Sequence, residues 1–130
     1  GVVSSLCWGY HDRFIGATAN SIGSGKTNTN TILSIPDTST WNDGIFKYVK
    51  ACRDENLNGC NDWFIASMAE QDKLRESGLV NWYDYKVFSI FSSVEYQNTY
   101  AYYWSRVNTK WSYWADKSDY DYSCFAARSF

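Results

Sequence analysis

The chain has one histidine, His11, and one proline, Pro36, among 130 residues. With a single imidazole, a serine or cysteine nucleophile would have only His11 as its base, on an N-terminal segment without a companion motif. Zinc sets of mixed His and Cys are also out of reach, because the four cysteines include no Cys-x2-Cys pair. Positive charge is not in excess either: 12 Lys and Arg against 14 Asp and Glu give a net charge of −2. That balance offers no field to gather a nucleic-acid backbone or an anionic membrane surface. No apolar run approaches the roughly 20 residues that cross a bilayer, and no basic region leads into a hydrophobic one at the start. Nucleic acid and membrane insertion are therefore not expected.

Motifs for cofactors are missing as well. Ser24-Gly25-Lys26-Thr27 imitates the end of a phosphate-binding loop, but that motif needs a glycine where Asn20 stands. Trp41-Asn42-Asp43 imitates a triplet of calcium-binding lectins, yet it precedes a helical pattern, where capping explains it. Asp116, Asp119 and Asp121 form a set of oxygens that could gather around calcium. Carboxylate chemistry using Glu95 with Asp116 or Asp119 stays open, because the separation of two acids across loops is invisible to sequence spacing. No cofactor, no metal and no enzymatic activity are expected.

What the chain has in abundance is aromatic residues, 19% of the total, well above the usual share. Ten of its eighteen Tyr and Trp lie between Tyr96 and Tyr122, interleaved with Ser, Asn, Asp, Lys and Arg. Tyr and Trp carry large contact area on few rotatable bonds and keep a polar handle, so the mixture reads as a binding surface. Tyr102-Tyr103-Trp104 and Tyr113-Trp114 are consecutive, and neighbours in a strand point to opposite faces. Some of these rings must look away from the core.

The length suits a single domain, 1–130, and a first residue of Gly rather than Met suggests a piece of a longer protein. Val2 to Ile15 reads as one or two strands, and the Gly/Asn/Thr-rich stretch Gly16 to Thr31 as a surface loop. Ile45, Tyr48, Val49 and Cys52 repeat at helical spacing between Asn42 and Glu55, with Thr40 or Asn42 as cap. Ser67 and Glu70 form a capping box for a second helix ending at Gly78. Between the two, Trp63-Phe64-Ile65 is an apolar run expected to be buried. Strands are expected at Lys86 to Phe91, Ala101 to Val107, Lys110 to Ala115 and Ser123 to Phe130. The class is therefore α+β. Four cysteines allow three pairings; Cys52–Cys60 across a short polar loop and Cys7–Cys124 near the chain ends are the expected ones.

In order along the chain, Gly23-Ser24-Gly25-Lys26-Thr27-Asn28-Thr29, the helix carrying Cys52, Asn61-Asp62-Trp63-Phe64-Ile65, Ser67-x-x-Glu70, Phe91-Ser92-Ser93-Val94-Glu95-Tyr96 and Ala127-Arg128-Ser129-Phe130 resemble the C-type lectin-fold variable proteins of diversity-generating retroelements. The resemblance spans Gly23 to Phe130. The family pattern has Leu-Pro-Ser where this chain has Ile65-Ala66-Ser67, Trp where it has Phe91, and a second Gly or aromatic near Cys60. Fold relatives include an oxidase that matures sulfatases, whose paired catalytic cysteines have no counterpart here.

The resemblance implies a C-type lectin-like fold, a small mixed or antiparallel sheet with two flanking helices. Its C-terminal face would display positions diversified by adenine-directed reverse transcription, and Thr99 to Tyr122 matches that region. By alternation and polarity, the residues expected to face ligand are Tyr100, Tyr102, Trp104, Arg106, Lys110, Ser112, Trp114, Asp116, Asp119 and Tyr120. The opposite parity, with Tyr103, Val107, Trp111 and Tyr113, is the expected core set, and a bulge would exchange parts of the two sets. The expected function is hypervariable binding of a macromolecular ligand, a protein or a surface glycan. The domain would be monomeric and displayed on a cell surface, outside the cell or on a virion. The alternative is a fixed structural or adhesive module of a virion or cell envelope.

Overall fold

A computed structural model describes residues 2–9, 13–35, 44–78, 89–120 and 122–128. The elements are β1 (Val2–Leu6), α1 (Ser24–Leu33), α2 (Ile45–Asp54), β2 (Phe64–Ile65), α3 (Met68–Ser77), β3 (Ser89–Glu95), β4 (Tyr100–Ser105), β5 (Lys110–Asp116) and β6 (Tyr122–Ala127). The class is α+β, and the described residues contain three α-helices where two were expected. His11, Pro36, the capping candidates Thr40 and Asn42, the triplet Trp41-Asn42-Asp43, the first part of the strand expected from Lys86, Asp121 and the final Ser129-Phe130 lie outside the described residues.

Two helices follow from the sequence pattern. The α2 helix buries Ile45, Phe46, Val49 and Cys52 on one face and exposes Lys47, Lys50 and Asp54. At α3 the capping box is complete: Glu70 N donates to Ser67 Oγ at 3.3 Å, and Ser67 N donates to Glu70 Oε1 at 2.9 Å. Gly78 ends the helix at φ 71°, a left-handed turn that glycine adopts without strain.

The third helix overturns the loop expected from Gly16 to Thr31. The buried stripe of α1 is Ser24, Gly25, Asn28, Thr29 and Ile32, which has helical spacing but is mostly small and polar. Its stability comes from tertiary contacts rather than apolar periodicity. Thr29 Oγ1 accepts from Ile65 N at 3.0 Å, and Asn28 Nδ2 donates to Ala19 O at 2.7 Å. The N-terminus of α1 meets Glu70, whose carboxylate accepts from Gly25 N at 2.8 Å and from Gly23 N at 3.2 Å. The N–H groups that a phosphate would need are thus bonded to a carboxylate of the chain itself.

The strands form one mixed sheet in the order β1-β6-β3-β4-β5, with β2 paired to β6 off this path. The β3–β6 pair is parallel, and the other pairs are antiparallel. Under the helices the core contains Trp8, Ile32, Ile45, Phe46, Val49, Ile65, Phe91, Tyr103 and Tyr122. Trp8 meets Phe46 edge-on with centroids 4.8 Å apart, and Phe91 meets Tyr122 at 4.5 Å. Burying each large side chain contributes about 1.5–3 kcal/mol, and such ring pairs add about 0.5–1.5 kcal/mol.

Neither expected disulfide is present. Leu6 pairs with Tyr122, so Cys7, one residue further along β1, sits about three strand residues or roughly 10 Å from Cys124. Bridged Cα atoms lie within about 7 Å. Cys52 faces the core from α2, whereas the half-buried Cys60 follows the turn Leu57–Gly59 and donates from Sγ to Asn58 O at 3.6 Å.

Candidate functional site

The β4–β5 hairpin carries most of the aromatic cluster, and its register decides what the cluster can touch. Tyr103 pairs with Ser112 and Ala101 with Ala115. Between those pairs Tyr102 stands opposite two residues, Tyr113 and Trp114, so β5 contains a β-bulge. On the other side, Phe91 pairs with Tyr103 and Glu95 with Ala101, leaving Ser92, Ser93 and Val94 opposite the same Tyr102. Ser92 Oγ donates to Tyr102 O at 3.0 Å across that irregularity.

The bulge breaks the expected alternation. Ser112 and Ala115 are buried, while Tyr113 and Trp114 between them are 51% and 59% exposed. Of the residues expected to face ligand, Lys110, Trp114 and Tyr120 are exposed, and Tyr100, Tyr102, Arg106, Asp116 and Asp119 are half-buried. Trp104 and Ser112 are buried and are removed from that set. Of the expected core set, Tyr103 is buried and Trp111 half-buried, but Tyr113 and Val107 are exposed. Val107 lies in the hairpin turn, where the β4 alternation has already ended.

Trp104 is covered because α3 crosses its part of the sheet. Trp104 and Trp111 are cross-strand partners, and the Arg75 guanidinium lies over both rings, 4.4 and 5.2 Å from their centroids. Asp72 pairs with Arg75 and accepts from Trp111 Nε1 at 2.8 Å. Burial lowers the Arg75 pKa from its ordinary value, and Asp72 opposes that shift. These side chains fasten a helix to the sheet.

Beyond the reach of α3 the rings are open. Tyr96 packs edge-on against Tyr102 at 5.6 Å and lies tilted against Tyr113 at 4.6 Å. Trp114 meets the buried Tyr103 edge-on at 5.6 Å, and Tyr103 in turn touches Tyr122 at 5.1 Å. The exposed rings therefore rest on other rings, which fixes their orientation before any ligand arrives. Tyr96 and Tyr113 are the members that sequence reasoning left out. Tyr96 belongs to the dense aromatic stretch and was legible there; Tyr113 was not, because its side is set by the hairpin register that places its neighbour Ser112 opposite the buried Tyr103.

One end of this surface is acidic and hydrogen-bonded internally. Asp116 Oδ1 accepts from Ser118 N at 2.8 Å and from Ser118 Oγ at 2.7 Å. Among the described residues no group of three or more His, Cys, Asp or Glu is arranged to hold a metal ion. Glu95, the other acid of interest, is buried and bonded to the backbone N–H groups of Ile15, Gly16 and Ala17. Among the described residues no helix is long and apolar enough to cross a membrane. No family model, curated protein or solved structure matches the chain.

Proposed function

We propose that the chain is a non-enzymatic, receptor-like domain of C-type lectin-like fold, related to the variable proteins of diversity-generating retroelements. It binds a macromolecular ligand through the open face of the β4–β5 hairpin. One observation carries this reading: the exposed rings of Tyr96, Tyr113 and Trp114 and the half-buried Tyr102 each rest on another ring, Tyr96 on Tyr102 and Tyr113, and Trp114 on Tyr103. Rigid amphipathic rings with polar neighbours give contact area at low entropic cost, whether the partner is a protein or a surface glycan. Lys110 and Arg106 at the hairpin tip and Asp116 and Asp119 at the other end act as charged selectors. The mixed sheet, in which the first and last strands are neighbours, and the helices packed on it support the lectin-like reading. The domain works at a cell surface, outside the cell or on a virion.

The test is to sequence the DNA around the gene and align the segment for Thr99 to Phe130 with nearby non-coding repeats. A near-copy differing only at template adenines supports a diversified receptor and names its variable residues. Absence of such a copy, or differences scattered over all bases, overturns diversification and leaves a fixed binding module. Sedimentation separates the second reading: a domain whose aromatic face is permanently buried against another subunit self-associates at micromolar concentration, whereas a receptor stays monomeric.

A further inference from the structure

The expected cysteine pairings do not occur, but the fold brings one cysteine of each pair, Cys52 and Cys124, together as free thiols. Ile45 N, at the start of α2, donates to Cys7 O at 2.8 Å, so the helix begins beside the end of β1. From there α2 needs two turns to reach Cys52, about 10 Å. Strand β1 runs back over four residues to Val3, about 13 Å, and Val3 pairs with Cys124. With α2 packed against β6, Cys52 arrives at the level of Cys124. Both side chains are buried, Cys52 at 5% exposure and Cys124 at 0%. Tyr48, one turn before Cys52, lies within electrostatic reach of both Cys52 and Cys124, and the two thiols lie within reach of each other.

We infer that Cys52 and Cys124 are a disulfide-forming pair that clips α2 to β6 when the chain folds in an oxidising environment. The reaction removes two protons and two electrons from the two thiols. A small disulfide such as oxidised glutathione accepts them and leaves as two thiols, after a mixed disulfide with one cysteine. In the folded protein this exchange is slow: burial raises the Cys124 thiol well above its ordinary value, so little thiolate exists, and the sulfurs are shielded. The bond therefore closes during folding. Disulfides persist outside the reducing cytosol, so the pair also gives the domain a marker of the compartment in which it folds. This inference stands independently of the ligand-binding reading.

The experiment refolds the reduced, unfolded full chain either in a glutathione redox buffer or in excess reductant, then alkylates in denaturant and maps the peptides by mass. In the glutathione sample two cysteines, Cys7 and Cys60, are expected to be alkylated, and one linked peptide pair joins Cys52 to Cys124. The oxidised protein should melt about 10 °C higher than the reduced one, as expected for closing a long loop in a domain of this size. Four alkylated cysteines, or a link involving Cys7 or Cys60, overturn the inference. Cys52→Ser refolded in the same buffer must show no internal disulfide; if it does, the assignment also falls.

Discussion

Lys117 Nζ lies 2.5 Å from Glu95 Oε2, and both side chains are wholly buried. Lys117 also donates to Arg13 O at 3.0 Å and stands 4.8 Å above the Trp8 ring. Glu95 accepts from Ile15 N at 2.8 Å, Gly16 N at 2.8 Å and Ala17 N at 3.2 Å. Three successive N–H groups and an ammonium thus converge on one carboxylate. The pair ties the segment 13–17 to the ends of β3 and β5, next to Tyr96 and Asp116 at the open aromatic face.

Removing one partner leaves the other buried without its counter-charge. Lys117→Met should therefore lower stability by about 3–5 kcal/mol, and Glu95→Gln by a similar amount. The double variant should lose clearly less than the sum of the single losses, because the two residues act as one unit. Urea unfolding of the three variants checks this. Additive losses would mean that the pair is not coupled.

Gly25 is required for space. A Cβ there would lie 2.8 Å from Ile65 O and 2.9 Å from Ala66 Cα, and would run into Glu70 Oε1. The first two contacts are to backbone and cannot swing away. Gly25→Ala should destabilise the protein by about 1–3 kcal/mol through overpacking, despite alanine's better helix propensity. At Gly16 the same added Cβ meets nothing within 4 Å, but φ is +96°, so Gly16→Ala should act through backbone strain alone. Thermal unfolding of both variants tests the contrast.

The half-buried phenol of Tyr48 predicts an alkaline signature. Burial first, and then the neighbouring Cys52 and Cys124, push its pKa up to about 12 from an ordinary value of 10.0. Between those values the folded state holds a proton that the unfolded state has released, so stability falls as pH rises. Tyr48→Phe removes that contribution. Below pH 10 the difference in stability between the variant and the parent should not change with pH. From pH 10 to 12 the variant should gain stability relative to the parent. Parallel stability profiles for the two proteins over that range would refute the assignment.

How much of this was legible in the sequence depends on which interaction holds each element. The α2 and α3 helices announce themselves through Ile45, Val49 and Cys52 and through the Ser67–Glu70 box, because apolar spacing and capping are local. The α1 helix does not, since Thr29, Asn28 and Gly25 are held by partners far along the chain, Ile65, Ala19 and Glu70. Strand existence in the C-terminal half was readable from β-branched and aromatic runs. The faces were not, because the hairpin register sets Ser112 opposite the buried Tyr103 and so turns Tyr113 outward, a one-residue excess in β5 then exposes Trp114 beside it, and nothing in the local sequence announces either. The cysteine pairs failed for a related reason: chain-end proximity gives neighbouring strands but not their register.

Trp104 and Trp114 separate the two roles that aromatic residues take here. Trp104 is 7% exposed, with Arg75 stacked on its ring and Ile90 opposite it on β3. Removing it opens a cavity and strips the cation–π partner from α3, so Trp104→Ala should destabilise by about 3–5 kcal/mol. Trp114 is 59% exposed and meets the buried Tyr103 edge-on. Trp114→Ala should change stability by less than about 1 kcal/mol while removing the largest open ring of the face. Guanidinium unfolding of each single variant makes the comparison, and a double variant must not be used, because its failure to fold would hide the surface residue behind the buried one. If Trp114→Ala proves as damaging as Trp104→Ala, Trp114 is part of the core and the open face is reduced to Tyr96, Tyr102 and Tyr113. If both are mild, Arg75 and Asp72 do not anchor α3 through Trp104, and the sheet keeps that helix by other contacts.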